Sequence, residues 1–212
     1  MIDLHLHSAF SDGELIPSEI IRRMSQLGNE GLAITDHADF SNMEWILSNL
    51  RKLMDFRDDY ELKILFGVEL THIPPQLMGR AVELARKEGA EIVIVHGESI
   101  AEPVKPGTNL AAVQEEVDIL AHPGLIDEKT AQLAGSNGVF VEISARRGHS
   151  LTNGHVADMA QNMGCELVIN TDSHSPSDFI TTQMARKILQ GAGVKDIDRT
   201  FHNAEKMLKQ KL

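Results

Sequence analysis

The chain is poor in three things, and each scarcity narrows what it can be. Its one cysteine, Cys165, cannot form an internal disulfide and gives no sign of an oxidising compartment. With no nucleophile motif around it, this thiol reads as a small buried hydrophobe. Aromatic residues are only 4% of the 212 residues. Ile, Leu, Val, Ala and Met must therefore build the core, which suits alternating α/β architecture better than a sandwich of short aromatic-rich strands. No apolar run approaches the ~20 residues that cross a bilayer. Structure-forming residues begin at Ile2, leaving no space for a removable leader, so a cytoplasmic protein without a membrane partner is expected.

Positive charge is scarce as well. The formal net charge of −11 argues against a general nucleic-acid surface, which needs clustered Lys and Arg. Solvated acidic helices account for most of the acidity, but three bound divalent ions would bring the sum to −5.

What the sequence does contain is a regular alternation. Short β-rich runs over residues 1–5, 31–35, 61–68, 91–95, 117–121, 138–143 and 166–171 are apolar enough for strands buried on both faces. Helical patterns lie between them. Pro17 opens one with Ile20, Ile21, Met24 and Leu27 on a face, and Gly28 closes it. Ser41 and Glu44 suggest a capping box before a helix over 45–56. Ser177 precedes a helix over 179–189 with Gly191 as its C-terminal cap, and a last helix covers 197–208. Seven βα units with no linker predict one domain, 1–212, containing a parallel sheet, either closed into a barrel or open. The absence of a Gly-rich phosphate loop after the first strand counts against a dinucleotide fold.

Polar chemistry falls where each predicted strand ends: His5 and His7, Asp36 and His37, Glu69, His96 and Glu98, His122, Glu142, and Asp172 with His174. In an α/β barrel these ends share one site. Converging imidazoles and carboxylates would leave buried polar groups without partners, at several kcal/mol each, unless metal binds them. Imidazole and carboxylate donors without thiolate suit Zn, Mn, Fe or Co. More donors than the ~4 that one tetrahedral ion uses indicate two or three ions.

At His5-Leu6-His7-Ser8-Ala9-Phe10-Ser11-Asp12-Gly13, Thr35-Asp36-His37, Gly67-Val68-Glu69, His122-Pro123 and Asp172-Ser173-His174, the sequence resembles the PHP (polymerase and histidinol phosphatase) family. The resemblance implies a distorted (β/α)7 TIM-like barrel, a trinuclear centre of divalent Zn, Mn or Fe, and phosphoesterase activity. It places His5, His7, Glu69 and Asp172 on a first ion, and makes Glu69 a bridge to a second held by His96 and His122. Asp12, His37 and His174 hold the third, with Asp12 standing where some family phosphatases have histidine. The run His96-Gly97-Glu98, Glu102-Pro103-Val104, Gly107-Thr108-Asn109 is similar to the small stand-alone histidinol-phosphatase-like branch, which points to histidine biosynthesis.

Hydrolysis of a small phosphomonoester such as L-histidinol phosphate by a metal-activated hydroxide is the expected reaction, with Glu69, Asp172 and Arg147 as catalytic residues. Arg146, Arg147 and Lys105 are the candidate phosphate contacts, Arg147 preferred. The acidic loop with Glu98 and Glu102 would meet a cationic amine. Glu142 and Asp36 would orient ligand histidines, His149 and His155 would touch substrate, and His202 would be structural. The alternatives are a nucleotide or oligonucleotide phosphoesterase and a non-catalytic scaffold of a ribonucleoprotein, a role that has no need of a full ligand set. Oligomeric state is left open.

Overall fold

A computed structural model describes residues 1–212. In chain order the elements are β1 (Ile2–Leu6), α1 (Pro17–Gln26), β2 (Gly31–Ala38), α2 (Met43–Met54), β3 (Lys63–Leu70), α3 (Met78–Lys87), β4 (Ile92–His96) and α4 (Thr108–Val113). They continue with β5 (Ile119–Ala121), α5 (Glu128–Asn137), β6 (Phe140–Ser144), α6 (Asn153–Met163), β7 (Leu167–Asn170), α7 (Thr182–Gly191) and α8 (Ile197–Lys211). All seven strands are parallel and pair in sequence order, β1 through β7. This is the expected seven-stranded TIM-like barrel, with helices on its outside.

The seam between β7 and β1 closes by side chains more than by backbone. The His7 N–H donates to Ser173 O at 2.9 Å, beside a single bridge between Leu6 and Ser173. Below it, the Leu4 N–H donates to Asn170 Oδ1 at 2.9 Å, and the Thr171 hydroxyl donates to Asp3 Oδ2 at 2.6 Å.

β1 carries an irregularity that matters for the site. Asp3 pairs with Leu32 and Leu6 with Ile34, so Leu4 and His5 together stand opposite Ala33. A bulge of this kind lets neighbouring residues share a face. Leu4 packs in the apolar cluster inside the barrel, and the His5 ring also points inward, to Glu69 and Glu142. The same inner cluster receives Ala204, Met207 and Leu208 of α8, which plugs the N-terminal end of the strands.

Helix ends differ from expectation in two places. The Ser41 hydroxyl bonds Asp39 Oδ1, so no capping box forms with Glu44, and α2 starts after Asn42 without a side-chain cap. Near the C-terminus the capping box is at Ser175 and Asp178, on a 3-10 turn over Pro176–Asp178. α7 follows with Thr181 as its cap, running through Gly191, and the left-handed turn falls on Gly193 at φ 80°. Short polar side chains compete for nearby backbone donors, so several positions in such a run satisfy the capping pattern.

Candidate metal centre

Each strand brings chemistry to the C-terminal end of the barrel. From β1, His5 and His7 project inward with ring centroids 5.0 Å apart. His37 leaves the end of β2 and places Nδ1 2.7 Å from Glu69 Oε2 on β3. Gly67, two residues before Glu69, lets β3 and β4 meet, since a Cβ there would lie 1.9 Å from the Ile92 carbonyl. His96 ends β4 and His122 follows β5, their rings edge to face at 4.4 Å. Asp172 follows β7 and reaches His7 Nε2 at 3.1 Å. Asp12 and His174 meet on the outer side, at 3.3 Å.

Backbone strain collects here too. The three non-glycine residues with positive φ are His72 (54°), His122 (25°) and Asp172 (50°), and all three lie at this end of the barrel. Such conformations cost on the order of 1–3 kcal/mol each and persist where the surroundings hold a side chain in position.

The donors group into four overlapping sets able to hold an ion: His7, Asp12, His37 and His174; His96, His122 and His149; His5, Glu69 and His122; and His5, His7 and Asp172. Every one of the nine sequence-derived ligand candidates falls in at least one of them. The chemistry between these atoms calls for a cation. The His5 Nδ1–H donates to Glu142 Oε2 at 2.8 Å, so Nε2 is the nitrogen left to bind an ion, and it faces Glu69 Oε1 at 3.3 Å without a hydrogen bond. Short as these approaches are, His5 Nε2, both His7 and both His122 ring nitrogens, both Glu69 oxygens and Asp172 Oδ1 are buried without an aligned hydrogen bond. Native interiors leave few such groups unpaired. Divalent ions fit this donor set, as electron-pair acceptors among lone pairs.

Electrostatics without an ion point the same way. Burial disfavours charge on His5, but Glu69, Glu142 and Asp172 override it and push the imidazole pKa well up. Burial raises Glu69, but the fields of His5, His37 and His96 pull it far below the usual carboxylate range. Burial also raises Asp12, yet the hydrogen bond with His174 and the His37 charge bring it down to about 2. Protons on His5, His37 and His96, whose pKa values are all raised, thus substitute for the missing positive charge, whereas burial and neighbouring imidazoles keep His7 neutral; bound metal would displace those protons.

The partners of these ligands sort the remaining expectations. Glu142 orients His5, and Asn170 donates to the same Glu142 oxygen at 2.9 Å. Asp36 contacts no histidine by hydrogen bond; it accepts from the Ser8 N–H and from the Ser8 and Ser11 hydroxyls, each at 2.7 Å, and so shapes the loop carrying Asp12. Arg146 enters the cavity, donating to Asp172 O at 2.8 Å with Nη1 2.7 Å from His174 Nδ1. Arg147 lines only an outer, shallower cavity with Asp12, Glu14 and Asp178. Lys105 is exposed and lines neither. Glu98 is taken up by the Gly107 and Asn109 N–H groups, whereas Glu102 faces the cavity with Oε2 3.0 Å from His96 Nε2. His155 is held by the Ile126 carbonyl at 2.7 Å and His202 is exposed on α8. The inner cavity, about 240 Å³, has no apolar side chain in its lining.

A family model for the PHP domain matches residues 3–96. An uncharacterized protein of Methanocaldococcus jannaschii is 46% identical over 98% of this chain and 98% of its own length. This chain belongs to the PHP family. A 3',5'-nucleoside bisphosphate phosphatase of Chromobacterium violaceum, another relative, is 36% identical over 34% of this chain and 26% of that one. Among solved structures, the PHP chain here is similar in fold to a chain of an archaeal ribonuclease P complex with mature tRNA, at TM-score 0.76 and 20% identity, covering 100% of this chain and 91% of that one. It is also similar to histidinol phosphate phosphatase of Lactococcus lactis, solved with zinc, L-histidinol and phosphate, at TM-score 0.66 and 18% identity over 91% and 93% of the two chains. No helix of this PHP protein is long and apolar enough to cross a membrane.

Proposed function

We propose that this protein is a metal-dependent phosphoesterase acting on a small phosphomonoester, with L-histidinol phosphate as the first substrate to test. The observation that carries the reading is the buried, unpartnered set of imidazole nitrogens and carboxylate oxygens at one end of the barrel. His5, His7, Glu69 and Asp172 would hold one ion, Glu69, His96 and His122 a second, and Asp12, His37 and His174 a third. Divalent ions bound there supply Lewis acidity toward phosphoryl oxygen and lower the pKa of water toward ~7.

The chain's own residues do the rest. Glu142 fixes the His5 ring through Nδ1, leaving Nε2 as the donor atom. Arg146 is the permanent cation in the cavity lining, and its half-buried guanidinium is suited to a phosphoryl oxygen. Glu102, also in the lining, offers a carboxylate to a cationic group of the substrate. The hydrogen bond from His96 holds it ionised, with a pKa of about 2. A lining without apolar residues favours a compact polar substrate over a nucleobase. The unpartnered ligand set also speaks against a purely non-catalytic scaffold.

The test is a panel assay of protein purified without chelators, in Mn²⁺ or Zn²⁺, on histidinol phosphate, sugar phosphates, nucleotides and short oligonucleotides. Fastest turnover of a small amine-bearing phosphomonoester is expected. Protein that binds ions yet hydrolyses none of these would reject the reading.

A further inference from the structure

His149 stands apart from the nine-residue ligand set, yet it is more deeply placed than its surroundings. It lies in a 3-10 turn after β6, 3% exposed, two residues before Leu151 at 74%. Its ring lies parallel to that of His122, centroids 4.1 Å apart and planes 14° apart, and edge-on to His96 at 5.9 Å. One nitrogen from each of the three histidines falls within 4.8 Å of the others.

We propose that His149 is a metal ligand, and that the second ion position of this protein is a three-histidine site of His96, His122 and His149, with Glu69 beside it. The inference rests on the reading of the cavity as a metal centre.

Three observations carry it. Nδ1 of His149 is 2.6 Å from Ser99 Oγ, which also accepts from the Ala101 N–H at 3.2 Å. Whichever of the two donates, Nδ1 is taken up by that oxygen, and Nε2 is the nitrogen that faces the cavity. Nε2 in turn lies 3.6 Å from Asp172 Oδ2 and 3.6 Å from Glu102 Oε1, approached by two carboxylates and hydrogen-bonded to neither. A ligand histidine whose other nitrogen is fixed by a neighbouring hydroxyl has this arrangement. Finally, both ring nitrogens of His122, on which His149 stacks, are buried and unpartnered.

The loop geometry is built for this delivery. Gly148 has φ 93°, and a Cβ there would press on the Ala101 side chain at 3.3 Å. The turn carrying His149 is therefore packed against the loop that carries Ser99. Two loops, after β4 and after β6, hold one imidazole over the second ion position. Three neutral nitrogens with one carboxylate form a donor set that prefers Zn²⁺ to Mn²⁺ or Mg²⁺. Without His149, the set of two imidazoles and a shared carboxylate would discriminate less.

The decisive experiment titrates the full, metal-stripped chain with Zn²⁺ alone against a chromophoric chelator, wild type beside His149→Gln. The variant is expected to bind one ion 10- to 100-fold more weakly and the others within about threefold of wild type. Equal affinities in the two proteins would overturn the proposal while leaving the metal-centre reading intact. Wild-type protein that binds no Zn²⁺ would remove both. Uniform weakening of every ion, with a lower melting temperature of the metal-free variant, would mark a packing role and also overturn it. If His149→Gln does not fold, Ser99→Ala decides. It cannot remove a ligand atom, and it is expected to weaken the same single ion about tenfold; no change there overturns the assignment.

Discussion

The two ends of the barrel handle acidic residues in opposite ways. At the N-terminal end, Glu91, Asp118 and Glu166 stand immediately before β4, β5 and β7, and each is met by a permanent cation. Arg57 reaches Glu91 at 2.8 Å, Arg86 and Lys211 each reach Asp118 at 2.7 Å, and Arg199 pairs with Glu166. Two of these acids also accept backbone N–H groups of the neighbouring strand, Glu91 from Phe66 and Asp118 from Val93. At the C-terminal end, Glu69 and Asp172 face histidines, with Arg146 the only guanidinium in the cavity lining. One end closes with its own charges. The other is short of positive charge in a buried space, the condition under which a metal ion is bound and protons are released.

The largest effect should come from the residue on which that imbalance centres. Glu69→Gln keeps shape and volume but withdraws the charge shared among His5, His37 and His122. Phosphatase activity should fall by on the order of 10³-fold, about 4 kcal/mol in the barrier. Metal analysis of the purified variant should find at least one ion fewer than in wild type. Near-normal turnover would show that the imbalance is not the catalytic feature.

Removing the ions entirely tests the same end through stability. Free metal at 100 times its dissociation constant should stabilise the fold by ~2.7 kcal/mol. For a domain of this size that is a rise in melting temperature of about 5–10 °C over chelator-treated protein. A melt insensitive to metal would mean that protons already balance the carboxylates.

How much of this was legible follows from the same asymmetry. The barrel and eight of the nine ligand candidates can be read because strand ends are marked by residue type, and a histidine or carboxylate after an apolar run stands out; Asp12, six residues beyond β1, comes only with the PHP resemblance. His149 gives no such mark. It follows β6 by five residues, inside a turn, and its place depends on Ser99, fifty residues away in sequence. Arg146 and Arg147 differ only in which way the chain turns after β6, which no pattern of adjacent arginines encodes. The bulge in β1 is hidden for another reason. Period-two spacing sets His5 and His7 on one face, but only pairing with β2 shows that Leu4 shares it.

At the closed end, breaking a pair should cost stability and leave catalysis alone. Arg86→Met removes the guanidinium that bridges Asp118 Oδ2 and the Ala90, Glu91 and Glu116 carbonyls. A half-buried carboxylate deprived of one of two cations should cost ~1–2 kcal/mol, with Lys211 retaining the other contact. Urea melts should show that loss, while turnover at saturating metal and substrate stays within about twofold. A large fall in turnover would mean that the two ends are coupled through the barrel.

The smallest effect lies at the seam, where Asp3 is buried and accepts from Thr171 and the His5 N–H. Burial raises its pKa to about 6 against those hydrogen bonds and the weaker pull of the His5 charge, so it belongs to neither end: no permanent cation meets it. A carboxyl with a raised folded pKa stabilises the fold fully below its unfolded value of 3.8 and loses that contribution as pH rises through about 6. Asp3→Asn cannot titrate. Measured on metal-free protein, the stability of the variant relative to wild type should therefore increase between pH 5 and pH 7.5 by about 1 kcal/mol. A difference that is flat across this range would show that Asp3 stays ionised in the fold, its charge met by the Thr171 and His5 donors, and the seam would then resemble the closed end of the barrel rather than the open one.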